Sequence, residues 1–366
     1  MDPVPFLDLK SQYIEIREHI NKAIFDTINS SEFILGSRVK NFEDQFAAWN
    51  GSSFCIGCAN GTDALEISLE ALNIGQGDEV IVPAMTWIST AEAVVRQGAT
   101  PIFVDIDPIS YCIDIQKIEQ SVTEKTKAII VVHLYGCPAE VKDIRAICDK
   151  NNIFLIEDCA QAHGASVDGI KVGNFGHVST FSFFPGKNLG AFGDAGCIVT
   201  NSEELALICR QIGNHGQSKK HEHCRIGRNS RLDGIQASIL LAKLPFLDDW
   251  IERRRAVARF YQENITSTLV KKPFYLDYNS HSYHLYVLRV DDRSSLQSHL
   301  DSLGVSTLIH YPSSLTDLPV FHDYIDSCLR FSTARSLANS CLSLPMGDQL
   351  LEEQLYRVVE SINSFR

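Results

Sequence analysis

The sequence predicts an α/β protein, with a large domain on a mostly parallel sheet and a smaller C-terminal α+β domain. Three observations predict it. Between residues 53 and 201 short apolar runs alternate with helix-period patterns, as expected for strands buried on both faces with helices packed on either side. Over about the last hundred residues this alternation gives way to a sparser mix of strands and helices. At 366 residues the chain exceeds one simple core, so two domains are expected, at 1–245 and 246–366.

The first thirty or so residues read as helical, within the large domain. Strand-like runs follow at 53–57, 79–83, 101–104, 128–132, 153–156, 178–183 and 196–200, each short and continuously apolar. Among the helices between them, 63–72 is the clearest. Leu65, Leu69 and Leu72 share a face, Asp63 and Glu66 have capping-box spacing, and Gly75 is the expected stop. Further helices are expected at 86–97, 140–151 and 202–212. Glycine and charge concentrate at 213–228, which reads as a loop. Long helices follow at 231–244, with Leu232, Ile235 and Ile239 on one face, and at 248–269. Arg253, Arg254 and Arg255 are expected to coat the second with solvated charge. The small domain reads as a strand at 285–290, a helix at 293–303, a strand near 306–309 and a final helix from Leu350.

A formal net charge of −12 repels phosphate backbones and argues against nucleic-acid binding. The start MDPVPFLDLK has no basic stretch followed by an apolar run, and 128–134 is too short to span a bilayer. A cytoplasmic protein is expected. The eleven cysteines follow no framework spacing, as for small buried apolar residues in a reducing compartment. Cys55 and Cys58 form one C-x2-C, but no second pair follows at finger-like distance. His221, Glu222, His223 and Cys224 crowd one polar loop, where adjacent side chains rarely converge on one ion. No metal site is expected.

Four positions at strand ends, where open α/β sheets place ligands, call for more than packing. Asn60, Gly61 and Thr62 stand between a strand and a helix start, where free amides and the helix dipole favour an anion. An ordinary N-cap explains them as well. Asp158 lies in the stretch Glu157–Gly164. A buried carboxylate needs a cation, such as a pyridinium nitrogen, or else helix amides or an arginine. Lys187 sits in an aromatic-flanked turn rich in glycine, 185–196. Lysine is rarely placed between buried strands for packing, and a desolvated one becomes a nucleophile toward an aldehyde. A solvent-exposed hairpin tip is the alternative, though Phe181, Phe183, Phe184, Leu189 and Phe192 make poor solvent-facing residues. Trp87 follows another strand and could stack on a flat ring or simply pack on a helix.

A phosphate cup, a stacking plate, a carboxylate and a lysine are together the parts of a pyridoxal 5'-phosphate (PLP) enzyme. A dinucleotide site needs G-x-G-x-x-G after the first strand, whereas Gly190, Gly193 and Gly196 have another spacing and follow a lysine.

The motifs NGTDAL, GDEVIVPAMTW, VHLYGCPA, IEDCAQAHGA, FSFFPGKNLGAFGDAG and GRNSRLDGIQASIL occur in this order. With them the chain resembles the DegT/DnrJ/EryC1/StrS family of sugar aminotransferases over nearly its whole length. The resemblance implies the PLP-dependent transferase type I (aspartate aminotransferase-like) fold. It implies that Lys187 bonds to the cofactor aldehyde and later shuttles protons. Asp158 would pair with the pyridine nitrogen, Gln161 would approach the ring hydroxyl, and Trp87 would stack on the ring. Gly61, Thr62 and Ser182 would hold the phosphate. Asn229 would reach it from a neighbouring subunit, in a homodimer with shared sites. His163, His310 and Tyr311 lie in family motifs near the sugar. Members acting as dehydratases carry histidine in place of this lysine, so Lys187 implies transamination. Where the family continues HYP with a proline and a histidine, this chain has Ser313, Ser314, Leu315 and Thr316, so substrate details are not simply inherited.

The resemblance of KNLGAxGDxG to members that aminate carbon 3 implies a dTDP-linked 3-keto-6-deoxyhexose, with L-glutamate as donor and 2-oxoglutarate as its product. Such a step belongs to deoxysugar, O-antigen or glycan biosynthesis. A UDP-linked 3-keto sugar is the near alternative, and a 4-keto sugar the next. Lys219, Lys220, Arg225, Arg228 and Arg231 make a locally basic stretch, suited to a diphosphate or to plain solvation. A nicotinamide oxidoreductase or a non-catalytic PLP-binding regulator are the readings from other classes.

Overall fold

The computed structural model describes residues 3–273, 280–325 and 330–366; Met1 and Asp2 of the expected N-terminal helical region lie outside them. Helices α1 (Leu9–Ser30) and α2 (Gly36–Asn50) precede β1 (Phe54–Cys58). Then follow α3 (Gly61–Ala71), β2 (Glu79–Pro83), α4 (Ser89–Arg96), β3 (Thr100–Val104), α5 (Ile115–Ser121), β4 (Thr126–Val132), α6 (Val141–Asn151) and β5 (Phe154–Asp158). A small hairpin, β6 (Ser166–Val167) and β7 (Ile170–Lys171), leads to β8 (Val178–Ser182), β9 (Gly196–Thr200) and α7 (Glu203–Gly213). These strands, the small hairpin apart, form one seven-stranded sheet in the order β1-β9-β8-β5-β4-β2-β3. Neighbours from β3 to β8 are parallel, and β9 alone runs against both its flanks. The predicted runs are thus the strands of a mostly parallel sheet, and its C-terminal edge gathers Asn60, Trp87, Asp158 and the turn after β8.

Four local expectations change here. Asn60 caps α3, its side chain accepting from the Asp63 amide at 2.8 Å, so the helix begins earlier than Asp63. Glu66 is therefore free of capping and meets Arg96 at 2.8 Å and Arg228. Left-handed Asn73 follows the C-cap residue Leu72, leaving Gly75 beyond the end. The 213–228 loop contains a hairpin, β10 (Gln217–Lys219) with β11 (Glu222–His223). The next helix, α8 (Gly234–Lys243), starts late because Leu232 is buried beside Gly57 of β1.

The arginine triplet is the largest correction. In α9 (Leu247–Asn264) Arg253 grips Glu15 of α1 at 2.8 and 3.1 Å. Arg254 is only 2% exposed, donates to the carbonyls of Tyr283 and His284, and faces Asp348 at 3.5 Å. Arg255 donates to the His281 carbonyl at 3.0 Å. Arg254 and Arg255 thus anchor backbone carbonyls rather than coat the helix, while Arg253 keeps about half of its side chain in solvent.

The C-terminal part holds a three-stranded sheet, β12 (Val270–Lys271), β13 (Tyr286–Val290) and β14 (Cys341–Leu344), with α10 (Arg293–Ser302), α11 (Ser332–Ser340) and α12 (Glu352–Ser364). No strand forms at 306–309; Leu308 makes a single bridge to Ser343. Instead β14 supplies the third strand, too short between a helix and Pro345 to stand out in sequence. Among the described residues no helix is long and apolar enough to cross a membrane.

The outer edge of β1 could pair with another chain, and side chains block it. Glu43 of α2 accepts from the Gly57 amide at 2.8 Å, while Arg210 of α7 donates to the Cys55 carbonyl at 3.4 Å. The two side chains also pair with each other at 3.0 and 2.9 Å. Replacing Arg210 with alanine leaves the largely buried Glu43 carboxylate short of a partner. We expect a loss of about 1–3 kcal/mol in urea unfolding, with increased self-association by light scattering.

Candidate active site

The cup forms where β1 meets α3. The amides of Gly61 and Thr62, in the first turn of α3, have no protein acceptor among the described residues, since the Asn60 side chain takes only that of Asp63. A methyl group on Gly61 would stand 2.8 Å from Ser182 Cβ, and one on Gly196 would stand 2.5 Å from the Asn60 carbonyl carbon. The start of α3, the end of β8 and the start of β9 thus close on one point, with the free amides and the Ser182 hydroxyl beside it. This suits an anion. Thr62 Oγ1 lies 2.7 Å from Ser89 Oγ, joining the cup to α4.

Two adjacent carboxylates at the end of β5 have opposite fates, because successive strand residues face opposite sides. Glu157 accepts from the Gly173, Phe175 and Gly176 amides at 2.9, 2.8 and 2.6 Å, and from Ser179 Oγ at 3.1 Å. His133 Nε2 lies 3.0 Å away, while its Nδ1 accepts from the Ala139 amide at 3.0 Å, so Nε2 is the protonated donor. Burial alone would raise the Glu157 carboxyl. The His133 hydrogen bond, with the amides, outweighs it and holds the group below its usual range. Among the described residues Asp158, on the other face, has only Thr90 Oγ1 at 3.0 Å and the Ala160 amide at 3.1 Å. Burial pushes its carboxyl up, against those two bonds and the Lys187 charge. Asp158 therefore retains acceptor capacity in a buried place, the condition for receiving a cation.

Lys187 is partly buried in the turn after β8, with its amide bonded to the Phe184 carbonyl at 2.8 Å. Burial lowers its pKa from 10.5 to about 8, Asp158 opposing the shift. Among the described residues it has no ion pair, so its amine is free to react. Phe181, Phe183 and Leu189 are fully buried, whereas Phe184 and Phe192, also expected to avoid solvent, are about half exposed, so the turn is anchored in the core at its base and open on its outer side.

Three histidines feel the Lys187 charge. His310 is held to about 4 by burial and by Lys187, and its Nδ1 lies 2.9 Å from Ser343 Oγ. His163 is fully buried against the Phe181 and Phe183 rings, with neither nitrogen hydrogen-bonded and its pKa near 3. It thus has no exposed surface from which to meet a sugar. His284, absent from the sequence reading, is pushed well below its usual value by burial and by Lys187. Its Nδ1 lies 3.2 Å from Asn188 Oδ1, and Asn188 Nδ2 donates to the Ser282 carbonyl at 3.1 Å. Adjacency of Asn188 to Lys187 was the signal that could have found this pair.

Trp87 is 57% exposed and lies 5.5 Å from the Tyr311 ring, tilted by 43°. An exposed indole beside the cup is open to a flat ligand, unlike a core tryptophan. Gln161 Nε2 donates to Tyr311 Oη at 2.9 Å, and Gln161 Oε1 accepts from the Tyr135 amide at 2.7 Å. Tyr135 in turn donates to the His310 carbonyl. Tyr135 and Thr90 were both missed, because neither stands out until the strands lie side by side. Asn229 is exposed, bridges Asn214, and has no hydrogen bond to Gly61, Thr62 or Ser182 in its own chain.

Cys55 and Cys58 are both buried but belong to cores on opposite faces of the sheet, so they cannot grip one ion. Glu222 to Cys224 lie on the exposed β11 arm, with His221 beside it.

The DegT/DnrJ/EryC1/StrS aminotransferase family model matches residues 14–363. The chain is 45% identical to the "Pleiotropic regulatory protein" of Geobacillus stearothermophilus, over 99% of this chain and 98% of the relative. It is 43% identical to the UDP-2-acetamido-2-deoxy-3-oxo-D-glucuronate aminotransferase of Pseudomonas aeruginosa, covering 94% and 95%. It is 42% identical to the dTDP-3-amino-3,6-dideoxy-alpha-D-galactopyranose transaminase of Aneurinibacillus thermoaerophilus, covering 99% of each. Among solved structures, DesV of S. venezuelae superposes with a TM-score of 0.96 at 39% identity, over 99% and 98% of the two chains. The ntda protein of Bacillus subtilis, solved with bound cofactor PMP, superposes with a TM-score of 0.92 at 31% identity, over 99% of this chain and 85% of that one.

Two results should follow from these geometries. Capture of PLP by the cofactor-free protein should accelerate as pH rises through about 8. Asp158→Asn should move that midpoint down, because the carboxylate that stabilises the ammonium is gone; an unmoved midpoint in stopped-flow absorbance contradicts the charge coupling. Glu157 has a depressed folded pKa, so its stabilisation is present above the usual carboxylate pKa and fades as pH falls through the folded value. Glu157→Gln should therefore cost roughly 3 kcal/mol near neutrality and weaken the acid dependence, read from urea midpoints across pH.

Proposed function

Because the chain belongs to the DegT/DnrJ/EryC1/StrS aminotransferase family, we propose that it moves an amino group from L-glutamate to carbon 3 of a dTDP-linked 3-keto-6-deoxyhexose. The observation that carries the reading is the partly buried Lys187 amine in the turn after β8, without an ion pair among the described residues, with the under-satisfied Asp158 carboxylate within charge range. The cofactor is PLP, and the residues on the sheet edge suit it.

When bound, PLP supplies an aldehyde for amine exchange and a ring that stores the charge released at the reacting carbon. The Gly61 and Thr62 amides with Ser182 Oγ would hold its phosphate. Asp158 would face the ring nitrogen and keep it protonated, and Trp87 would cover the ring. Gln161 is anchored by the Tyr135 amide and could turn its Nε2 from Tyr311 to the ring hydroxyl. Lys187 Nζ would take a proton from the donor's alpha carbon and deliver it to the carbon that carried the cofactor's aldehyde. A pKa of about 8 leaves an appreciable share of the amine unprotonated near neutral pH. Reversal of these steps on the keto sugar returns the amino group as an amino sugar.

Tyr311 and His310 reach the site from the C-terminal part, which supports a sugar site between domains at 1–245 and 246–366. Asn229 is exposed in its own chain, which suits a homodimer in which the partner's copy completes the cup. Ten described cysteines are free thiols, which favours the cytoplasm. The dTDP-sugar relative supports the nucleotide, and the Pseudomonas relative of near-equal identity supports a UDP-linked 3-keto sugar as the second reading.

The test incubates purified protein with PLP, glutamate and a panel of dTDP- and UDP-linked 3-keto and 4-keto sugars, with products assigned by NMR. We expect an amine at carbon 3, and no turnover with Lys187→Ala. An amine at carbon 4 refutes the substrate, and full activity of Lys187→Ala refutes the mechanism.

A further inference from the structure

A lysine at a helix end normally extends its ammonium into water. Lys243, the last residue of α8, does not: it is 2% exposed. Its Nζ donates to the Gly190 carbonyl at 2.7 Å and stands 5.5 Å from the Phe192 ring centroid and 5.7 Å from that of Trp250. Asp348 is the carboxylate whose charge it feels, and no carboxylate lies within ion-pair distance among the described residues. Burying a cation with so little opposite charge is costly, so its geometry calls for a role.

Gly190 belongs to the turn that carries Lys187. That turn closes on itself through two hydrogen bonds of 2.8 Å, Lys187 amide to Phe184 carbonyl and Ala191 amide to Phe183 carbonyl. Gly190 is packed so tightly against the Pro185 carbonyl that no side chain fits there. A displacement of the Gly190 carbonyl is therefore passed to the Lys187 backbone. A second tie comes from the first turn of α8, where Gln236 Oε1 accepts from the Phe192 amide at 2.9 Å. The helix is itself fixed to α1 by Thr27 Oγ1 and Ser238 Oγ at 2.6 Å.

We propose that Lys243 is a positioning residue for the reacting lysine: it holds the Gly190 carbonyl and thereby sets where the Lys187 amine stands. This rests on Lys187 being the lysine that bonds the cofactor. A loosened turn would let Lys187 regain water, and its pKa would climb from about 8 toward the ordinary lysine value.

The experiment compares wild type, Lys243→Met, Lys243→Gln and Lys243→Arg. Three quantities are read: the rate of PLP release, the pH midpoint of PLP capture, and the thermal midpoint without cofactor. Lys243→Met should release PLP about tenfold faster or more and shift the capture midpoint upward, and Lys243→Arg should bring both back toward wild type. Wild-type release and midpoint in Lys243→Met overturn the proposal, as does faster release without a midpoint shift. Failure of both neutral variants to fold, with the arginine variant normal, also overturns it in favour of a purely structural cation. Borohydride trapping of PLP on wild type separates the two readings: no adduct at residue 187 defeats the reading of Lys187 itself, whereas a normal adduct with unaltered variants defeats only the role of Lys243.

Discussion

Everything at the sheet edge depends on removing one amine and one carboxylate partly from water without letting them satisfy each other. Lys187 and Asp158 come within range of each other's charge, yet make no ion pair. Had they paired closely, the amine would have been held protonated and the carboxylate saturated. Separation leaves the lysine reactive and the aspartate in need of a cation. The turn after β8 and the end of β5 impose that separation, because both are fixed by backbone hydrogen bonds.

The surroundings maintain the condition by being neutral or already satisfied. Glu157, one residue from Asp158, is tied to His133, three amides and a serine, and so offers nothing to a cation. His163, His284 and His310 are kept uncharged by burial and by the Lys187 charge. The strand pleat separates the two carboxylates: Glu157 becomes structural, and Asp158 is left for chemistry.

Contacts between side chains distant in sequence then bind the parts into one site. Thr62 meets Ser89, and the next residue, Thr90, meets Asp158. Gln161 meets Tyr311, whose ring lies beside Trp87. The cup, the exposed indole, the buried carboxylate and the C-terminal part are thereby held in one register across β1, β2 and β5.

The strands of the large sheet and the positions of Lys187, Asp158, Trp87 and Gly61 were legible in the sequence, because each rests on local chemistry. Buried parallel strands must be continuously apolar, and a lysine or carboxylate among them stands out against that background. What depended on distant partners was not legible. Arg254 looked solvated until the segment carrying Tyr283 and His284 was laid on α9, and β14 is too short to be recognised apart from β13. Glu157 found its partners only when His133 and the segment 173–176 came to lie beside β5. Lys243 was one more helical lysine until the turn bearing Gly190 came to rest against it. Sequence by itself determined which residues could do chemistry; only tertiary structure decided which were desolvated, which were satisfied and which were left free, because those properties belong to surroundings drawn from distant parts of the chain.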